Sequence, residues 1–222
     1  SMHFKHIKGD IAEGRHDAVF SFTGKSDKDW EITIEDDNLV DLILKTNRLG
    51  AKDADLFMYI SEAGNEVDLK AEHINQYIRA SSGEGFTAKN FRTWGATYRC
   101  AERLAFLSQP QDEKNMKQWI RKLPNVESMN KLWTEGDWEV PTTETSLNKA
   151  MLAVIDTVAA DLGNTRSVCR SSYIHPWFLD AWMEQRLLET WNEVSDIRRI
   201  SGLSVGESAT LRVLKNLRKN II

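Results

Sequence analysis

Apolar positions along this chain follow two different periods, and the change falls near residue 36. Val19-Phe20-Ser21-Phe22 and Trp30-Glu31-Ile32-Thr33-Ile34 set apolar against polar residues with period two, the pattern of strands with one covered face. The polar segment Thr23-Gly24-Lys25-Ser26-Asp27-Lys28-Asp29 between them reads as the turn of a β-hairpin. His3 to Ile7 is predicted as a third strand, with Gly9-Asp10 and Glu13-Gly14 marking the connection. From Asp37 the spacing becomes helical. Leu39, Val40, Leu42, Ile43 and Leu44 predict a first helix with Asp36 or Asp37 as its cap. Residues 55–60 fit a short helix or a strand equally well, and 71–80 predict a helix that stops at the breaker Ser81-Ser82-Gly83-Glu84-Gly85.

The longest helix is predicted over 86–106, with Thr87 at its N-cap and Phe91, Trp94, Tyr98, Ala101 and Ala105 as its apolar stripe. Lys89, Arg92, Arg99 and Arg103 fall on one other face. That face is either a solvated charged surface or one that meets phosphate. Residues 109–146 are the least regular stretch: one helix over 112–122, then a mobile loop. A second amphipathic helix carries Leu147, Met151, Val154, Ile155 and Val158, and Gly163 is its natural C-cap. Thr165 can cap a short helix that presents Tyr173 near its end, with Arg166 and Arg170 one and two turns earlier and Pro176 turning the chain just beyond. Residues 177–194 are amphipathic through Trp177, Ala181, Leu188 and Trp191, and 206–221 form a last helix with Leu214, Leu217 and Ile221 on one face.

Composition narrows the class. A chain of 222 residues with eight tryptophans has enough apolar matter for one substantial core. No run of about twenty apolar residues occurs, so no membrane-spanning helix is expected. Cys100 and Cys169 have neither metal-ligand spacing nor a disulfide framework, which points to a reducing compartment. The net charge of −4 is unfavourable for a nucleic-acid binder unless the charges are segregated by face.

Three stretches carry the chemistry. Gly163-Asn164-Thr165 followed by Cys169-Arg170-Ser171-Ser172-Tyr173-Ile174-His175-Pro176 resembles the nucleophile segment of type IB DNA topoisomerases, especially the compact bacterial and poxvirus-like kind. Phe86-Thr87-Ala88-Lys89-Asn90-Phe91-Arg92-Thr93-Trp94 is similar to the family's Lys-Asp-Leu/Phe-Arg-Thr-Tyr/Trp helix start, and Phe22-Thr23-Gly24-Lys25 to its Phe-x-Gly-Lys hairpin segment. The resemblance implies Tyr173 as the nucleophile and Arg92 as the grip on the scissile phosphate. It implies Lys25 as the general acid, with Lys28 able to exchange with it if the turn shifts. It implies Asn164 as a neutral phosphate contact nine residues before the tyrosine, and Lys89 as a further contact nearby. Arg99, Arg166 and Arg170 are the other candidate DNA contacts.

These residue types suit the reaction. Attack of a phenol oxygen on a phosphodiester builds charge on the non-bridging oxygens, which the fixed fork of arginine binds two at a time. The leaving 5′-alkoxide is a strong base and needs a proton donor. No metal and no cofactor is implied. The family's second arginine, in an Arg-x-Gly-Asn motif upstream of the hairpin, has no counterpart in these residues. The expectation is that the sequence begins after it and after the family's DNA-clamping domain.

The expected fold is α+β and mostly helical: a small N-terminal antiparallel hairpin or sheet, then a helical catalytic core of the topoisomerase IB and tyrosine recombinase type. The expected organisation is a single catalytic-domain segment over 1–222: a hairpin region at 2–35, a helical core with Arg92 at 37–108, an insertion at 109–146, and the nucleophile segment with the C-terminal helices at 147–222. The implied partner is double-stranded DNA, acted on by a monomer in bacterial cytoplasm or nucleoid, or otherwise in a nucleus or viral replication site. Two alternatives stand beside this reading. One is a tyrosine recombinase, against which the sequence lacks His-x-x-Arg before the tyrosine. The other is a non-catalytic DNA-binding or interaction module on the same scaffold.

Overall fold

A computed structural model describes residues 7–8, 18–23, 29–34, 36–47 and 57–219. The chain clusters into two compact units, residues 1–85 and 86–222.

In the first unit, β1 (Ile7–Lys8), β2 (Ala18–Thr23) and β3 (Asp29–Ile34) form an antiparallel sheet in sequence order. The register pairs Val19 with Thr33 and Phe22 with Trp30, so the predicted hairpin is present. Its turn, including Lys25 and Lys28, lies outside the described residues. Helix α1 (Asp37–Asn47) begins where predicted, and the Asp36 carboxylate is its cap, accepting from the Leu39 N–H at 3.0 Å. The ambiguous segment at 55–60 resolves in its described part as strand β4 (Met58–Ile60), paired antiparallel with β5 (Glu66–Asp68). Such short strands give too few alternations to read from sequence. Helix α2 (Ala71–Ser82) follows; the Lys70 N–H donates to His73 Nδ1 at its start.

The second unit is helical. Its helices are α3 (Ala88–Leu107), α4 (Glu113–Ile120), α5 (Glu127–Leu132), α6 (Glu144–Leu162), α7 (Arg166–Ser172), α8 (Pro176–Met183), α9 (Leu187–Ser195) and α10 (Val205–Lys219). The expected α+β class, mostly helical with a small antiparallel sheet, is therefore what the chain adopts. Helices α3 and α6 are its centre: α3 packs on α6, α8, α9 and α10, and α6 also on α5, α7 and α8. Leu147, Met151, Val154, Ile155 and Val158 are all buried, as their spacing predicts. Fully burying side chains of this size contributes about 1.5–3 kcal/mol each.

Three expectations are corrected. The buried face of α3 is Ala96, Thr97, Cys100, Ala101, Leu104 and Leu107, turned by roughly 100° from the predicted stripe at 100° per residue. Phe91, assigned to the core, is 61% exposed. Small residues let α6 approach α3 closely, and that partner, not side-chain size alone, decides which face is covered. Residues 109–146 are no mobile loop: Met116, Ile120, Met129, Trp133 and Trp138 all enter the core. Trp138 Nε1 donates to the Leu107 carbonyl at 2.9 Å, and the Trp119 ring stacks on Phe106 at 4.5 Å. The amphipathic run at 177–194 breaks into α8 and α9 at Gln185, whose φ is +57°.

Candidate active site

The end of α6 builds the site. A helix terminus leaves its last carbonyls without intrahelical partners. Here Gly163 takes the left-handed conformation, φ 65° and ψ 30°, which glycine adopts without a Cβ clash. The Gly163 N–H then reaches the Ala160 carbonyl at 3.2 Å and the Asn164 N–H reaches Ala159 at 2.8 Å, closing a Schellman motif. The Leu162 carbonyl stays free of this motif and accepts from Arg92 Nη2 at 2.7 Å. The negative end of a helix favours a cation at this place.

Arg92 is brought there by the start of α3. Thr87 precedes the helix, and its N–H donates to the Asn90 side-chain oxygen at 2.9 Å, so the first turn is fixed by its own cap. Arg92 Nη2 also donates to Asn164 Oδ1 at 3.4 Å, and the guanidinium carbon stands 5.5 Å from the centre of the Tyr173 ring. Among the described residues no partner is recorded for Nε or Nη1 of Arg92, which leaves donors for a ligand. The Asn164 amide nitrogen is buried and without a partner, a state that costs about 1–3 kcal/mol unless an acceptor arrives.

Tyr173 sits where α7 ends. Thr165 caps that helix, accepting from the Val168 N–H at 3.4 Å, and Tyr173 closes it with its N–H on the Cys169 carbonyl at 3.1 Å. His175 then caps α8, accepting from the Trp177 N–H at 3.3 Å, with Pro176 at the first helical position. Tyr173 is half-buried and Arg92 exposed. Arg92, Asn164 and Tyr173 are therefore one cluster.

The other predicted contacts divide. Lys89 and Arg170 are exposed. Arg166 forks onto Asp156 through Nε at 2.6 Å and Nη2 at 2.5 Å, and Ser128 donates to the same carboxylate at 2.6 Å. Burial pushes the Asp156 carboxyl up, but the hydrogen bonds from Arg166 and Ser128 outweigh it and hold the group below its ordinary value. Arg99 lies 3.7 Å from Asp161 and over the Tyr98 ring at 4.9 Å. Arg103 binds Asp161 at 2.7 Å and donates to Thr157 at 2.9 Å. The basic stripe of α3 thus faces the C-terminal end of α6, neither bare solvent nor a purely phosphate-seeking surface. Both cysteines are buried; burial raises both thiols, Cys169 to about 11 with Asp161 adding to the effect. Neither is a thiolate nucleophile at neutral pH.

Sequence reasoning passed over four parts of this arrangement: the Leu162 carbonyl, Asp156, Asp161 and Thr97. Only Thr97 had a local signal, as a polar residue on the small-residue face of α3.

Residues 1–185 match the family model for the catalytic core of eukaryotic DNA topoisomerase I. The chain belongs to this topoisomerase I family. All nine residues singled out above lie within the matched span. The chain is also 26% identical to DNA topoisomerase 1B of Acanthamoeba polyphaga mimivirus, over 226 residues that cover all of this chain and 54% of that protein. It spans about half the length of the curated relative it matches. No described helix of this topoisomerase-family chain is long and apolar enough to cross a membrane.

Proposed function

We propose that this segment carries the catalytic centre of a type IB DNA topoisomerase, acting on double-stranded DNA as a monomer. The observation behind this reading is the convergence of Arg92, Asn164 and Tyr173, with a guanidinium 5.5 Å from the phenol ring. A phosphodiester placed against the tyrosine would meet the unused nitrogens of Arg92 and the unmet Asn164 amide. The Tyr173 oxygen bonds to phosphorus, the bond from phosphorus to the 5′-oxygen breaks, and a 3′-phosphotyrosine remains. The 5′-oxygen takes a proton from Lys25. Supercoils relax while the strand is open, and the 5′-hydroxyl then reverses the step. One phosphodiester replaces another, so the cycle needs no ATP. Lys89 and Arg170 add phosphate contacts beside the cluster.

The test is Tyr173→Phe in the full-length chain with a suicide DNA substrate. The expected result is loss of the covalent adduct with DNA binding and circular dichroism unchanged. An adduct formed at the parental yield would remove Tyr173 from the role. Salt-sensitive binding without any adduct in the unsubstituted protein would favour the non-catalytic DNA-binding module, the alternative that the paired arginines and the net charge of −4 support.

A further inference from the structure

The turn between α7 and α8 has only three residues, Tyr173, Ile174 and His175, and its backbone groups need partners. The N–H groups of Tyr173 and Ile174 both reach the Cys169 carbonyl, at 3.1 and 3.2 Å. The Tyr173 carbonyl and the His175 N–H go elsewhere. Both meet one side chain, Thr97 of α3. Its hydroxyl donates to the Tyr173 carbonyl at 3.1 Å and accepts from the His175 N–H at 3.1 Å.

Helix threonines commonly turn the hydroxyl back onto their own helix. Thr93 does so toward the Lys89 carbonyl at 3.2 Å, and Thr157 toward Val154 at 2.7 Å. Thr97 uses both hydrogen-bonding capacities outward instead, and it is only 3% exposed. Arg92 lies five residues earlier on the same helix, about 7.5 Å along its axis. One rigid element therefore holds the guanidinium at the Tyr173 ring and, further along, the Tyr173 backbone.

We infer that Thr97 is a positioning residue for the tyrosine nucleophile. It sets the height and direction of the phenol relative to Arg92 by clamping the backbone on both sides of Ile174. This role rests on the transesterification reading above. Thr97 touches no reacting atom. Its loss leaves a carbonyl and an N–H unmet in a part-buried turn, and the turn shifts to find other partners.

The test compares Thr97→Val, of equal size without the hydroxyl, with Thr97→Ser, which restores it. In the full-length chain, single-turnover adduct formation on a suicide substrate is measured well below the melting temperature. A misplacement near 1 Å costs about a hundredfold in rate, so the valine variant should be slower by roughly ten- to hundredfold, with the DNA dissociation constant within about twofold. Serine should recover the rate to within about threefold of the parent. Amide exchange at His175 should quicken in the valine variant and return to the parental value with serine, a readout independent of DNA. Parental adduct rates in the valine variant would overturn the role while leaving the function intact. So would a rate loss that only tracks weaker DNA binding or a larger unfolded fraction, or a serine variant as slow as valine. If the unsubstituted protein forms no adduct, the transesterification reading falls first and the role of Thr97 falls with it.

Discussion

The Arg92 guanidinium lies 5.5 Å from the centre of the Tyr173 ring, and neither residue is held there by the other. Arg92 is fixed by the Leu162 carbonyl at the end of α6, and Tyr173 by the end of α7. A cation–π contact at an exposed position is worth only about 0.5–1 kcal/mol, too little to assemble the pair. Their approach is a consequence of how α3, α6 and α7 pack, so it persists when one partner is changed. That makes single substitutions here readable as chemistry.

Arg92→Ala should lower the rate of covalent adduct formation by about two to three orders of magnitude, the usual cost of losing one donor to a developing oxyanion. The melting temperature should hardly move, because the side chain is exposed. Arg92→Lys should recover only a minor part of the rate, since lysine keeps the charge but not the fork. Single-turnover cleavage beside thermal unfolding checks both statements. A rate within a fewfold of the parent would place the phosphate elsewhere.

Gly163→Ala should act on stability and rate together. The left-handed φ of 65° costs a residue with a Cβ roughly 1–2 kcal/mol. The melting temperature should fall by a few degrees. Relief of the strain moves Asn164, the next residue, and cleavage should slow as well. Gly163→Asn should be milder in both respects, because asparagine tolerates this conformation. Equal stability of the alanine variant would contradict the cap assignment.

What the sequence carried about this site was local. Thr87, Gly163, Thr165 and Pro176 are stop and start signals a few residues from Arg92, Asn164 and Tyr173, and each marks a helix end where the structure has one. What it did not carry was nonlocal. The attachment of Arg99 and Arg103 to Asp161, and of Arg166 to Asp156, joins residues on different helices, and no spacing along one helix reveals it. The covered face of α3 was misread for the same reason: Phe91 is more hydrophobic than Ala96, but Ala96 is the one that α3 buries. Helices α4 and α5, of eight and six residues, are too short to show a period. Their tryptophans were the available sign of a core.

Acid should loosen the turn beyond Tyr173. Partial burial lowers the His175 pKa, and its Nδ1 accepts from the Trp177 N–H, which only the neutral ring can do in this tautomer. The folded state therefore prefers neutral His175. Its contribution is complete above the ordinary histidine value, declines as the pH falls below that value, and is gone below the depressed folded value. His175→Asn keeps a side-chain cap that does not titrate. The melting temperature of the parent should fall more steeply than that of the asparagine variant as the pH goes from 7.5 to 5. Parallel curves would mean that His175 plays no part.

Lys25 lies in the segment between β2 and β3, and the resemblance makes it the acid for the leaving 5′-oxygen. A 5′-bridging phosphorothiolate leaves as a thiolate and needs little protonation. Lys25→Ala should therefore cleave that substrate far better than ordinary DNA, with the ordinary substrate slowed by about 10²–10⁴. An equal defect on both substrates would transfer the role to Lys28 or to another donor.

The last prediction concerns the 222-residue segment by itself. Its second unit has a continuous buried core, so circular dichroism should report a folded, helix-rich protein. DNA binding is another matter. Arg99 and Arg103 share Asp161, and Arg166 is forked on Asp156. A phosphate reaching any of these arginines must compete with a carboxylate already in place. Lys89, Arg92 and Arg170 remain as exposed cations of the site region without a carboxylate partner among the described residues. Each neutralised phosphate contributes about −0.9 to the slope of log K against log salt. Contacts through these three alone correspond to a slope of roughly −2 to −3. Binding should be weak, and supercoiled plasmid should relax little or not at all without Mg²⁺ and ATP. Asp156→Asn releases Arg166 and should make the slope steeper by roughly one unit if DNA lies across α7. A parental slope already steeper than about −6, or robust relaxation by the segment, would show that the paired arginines leave their aspartates for DNA, with Arg99 or Arg166 supplying the cation that the sequence otherwise lacks.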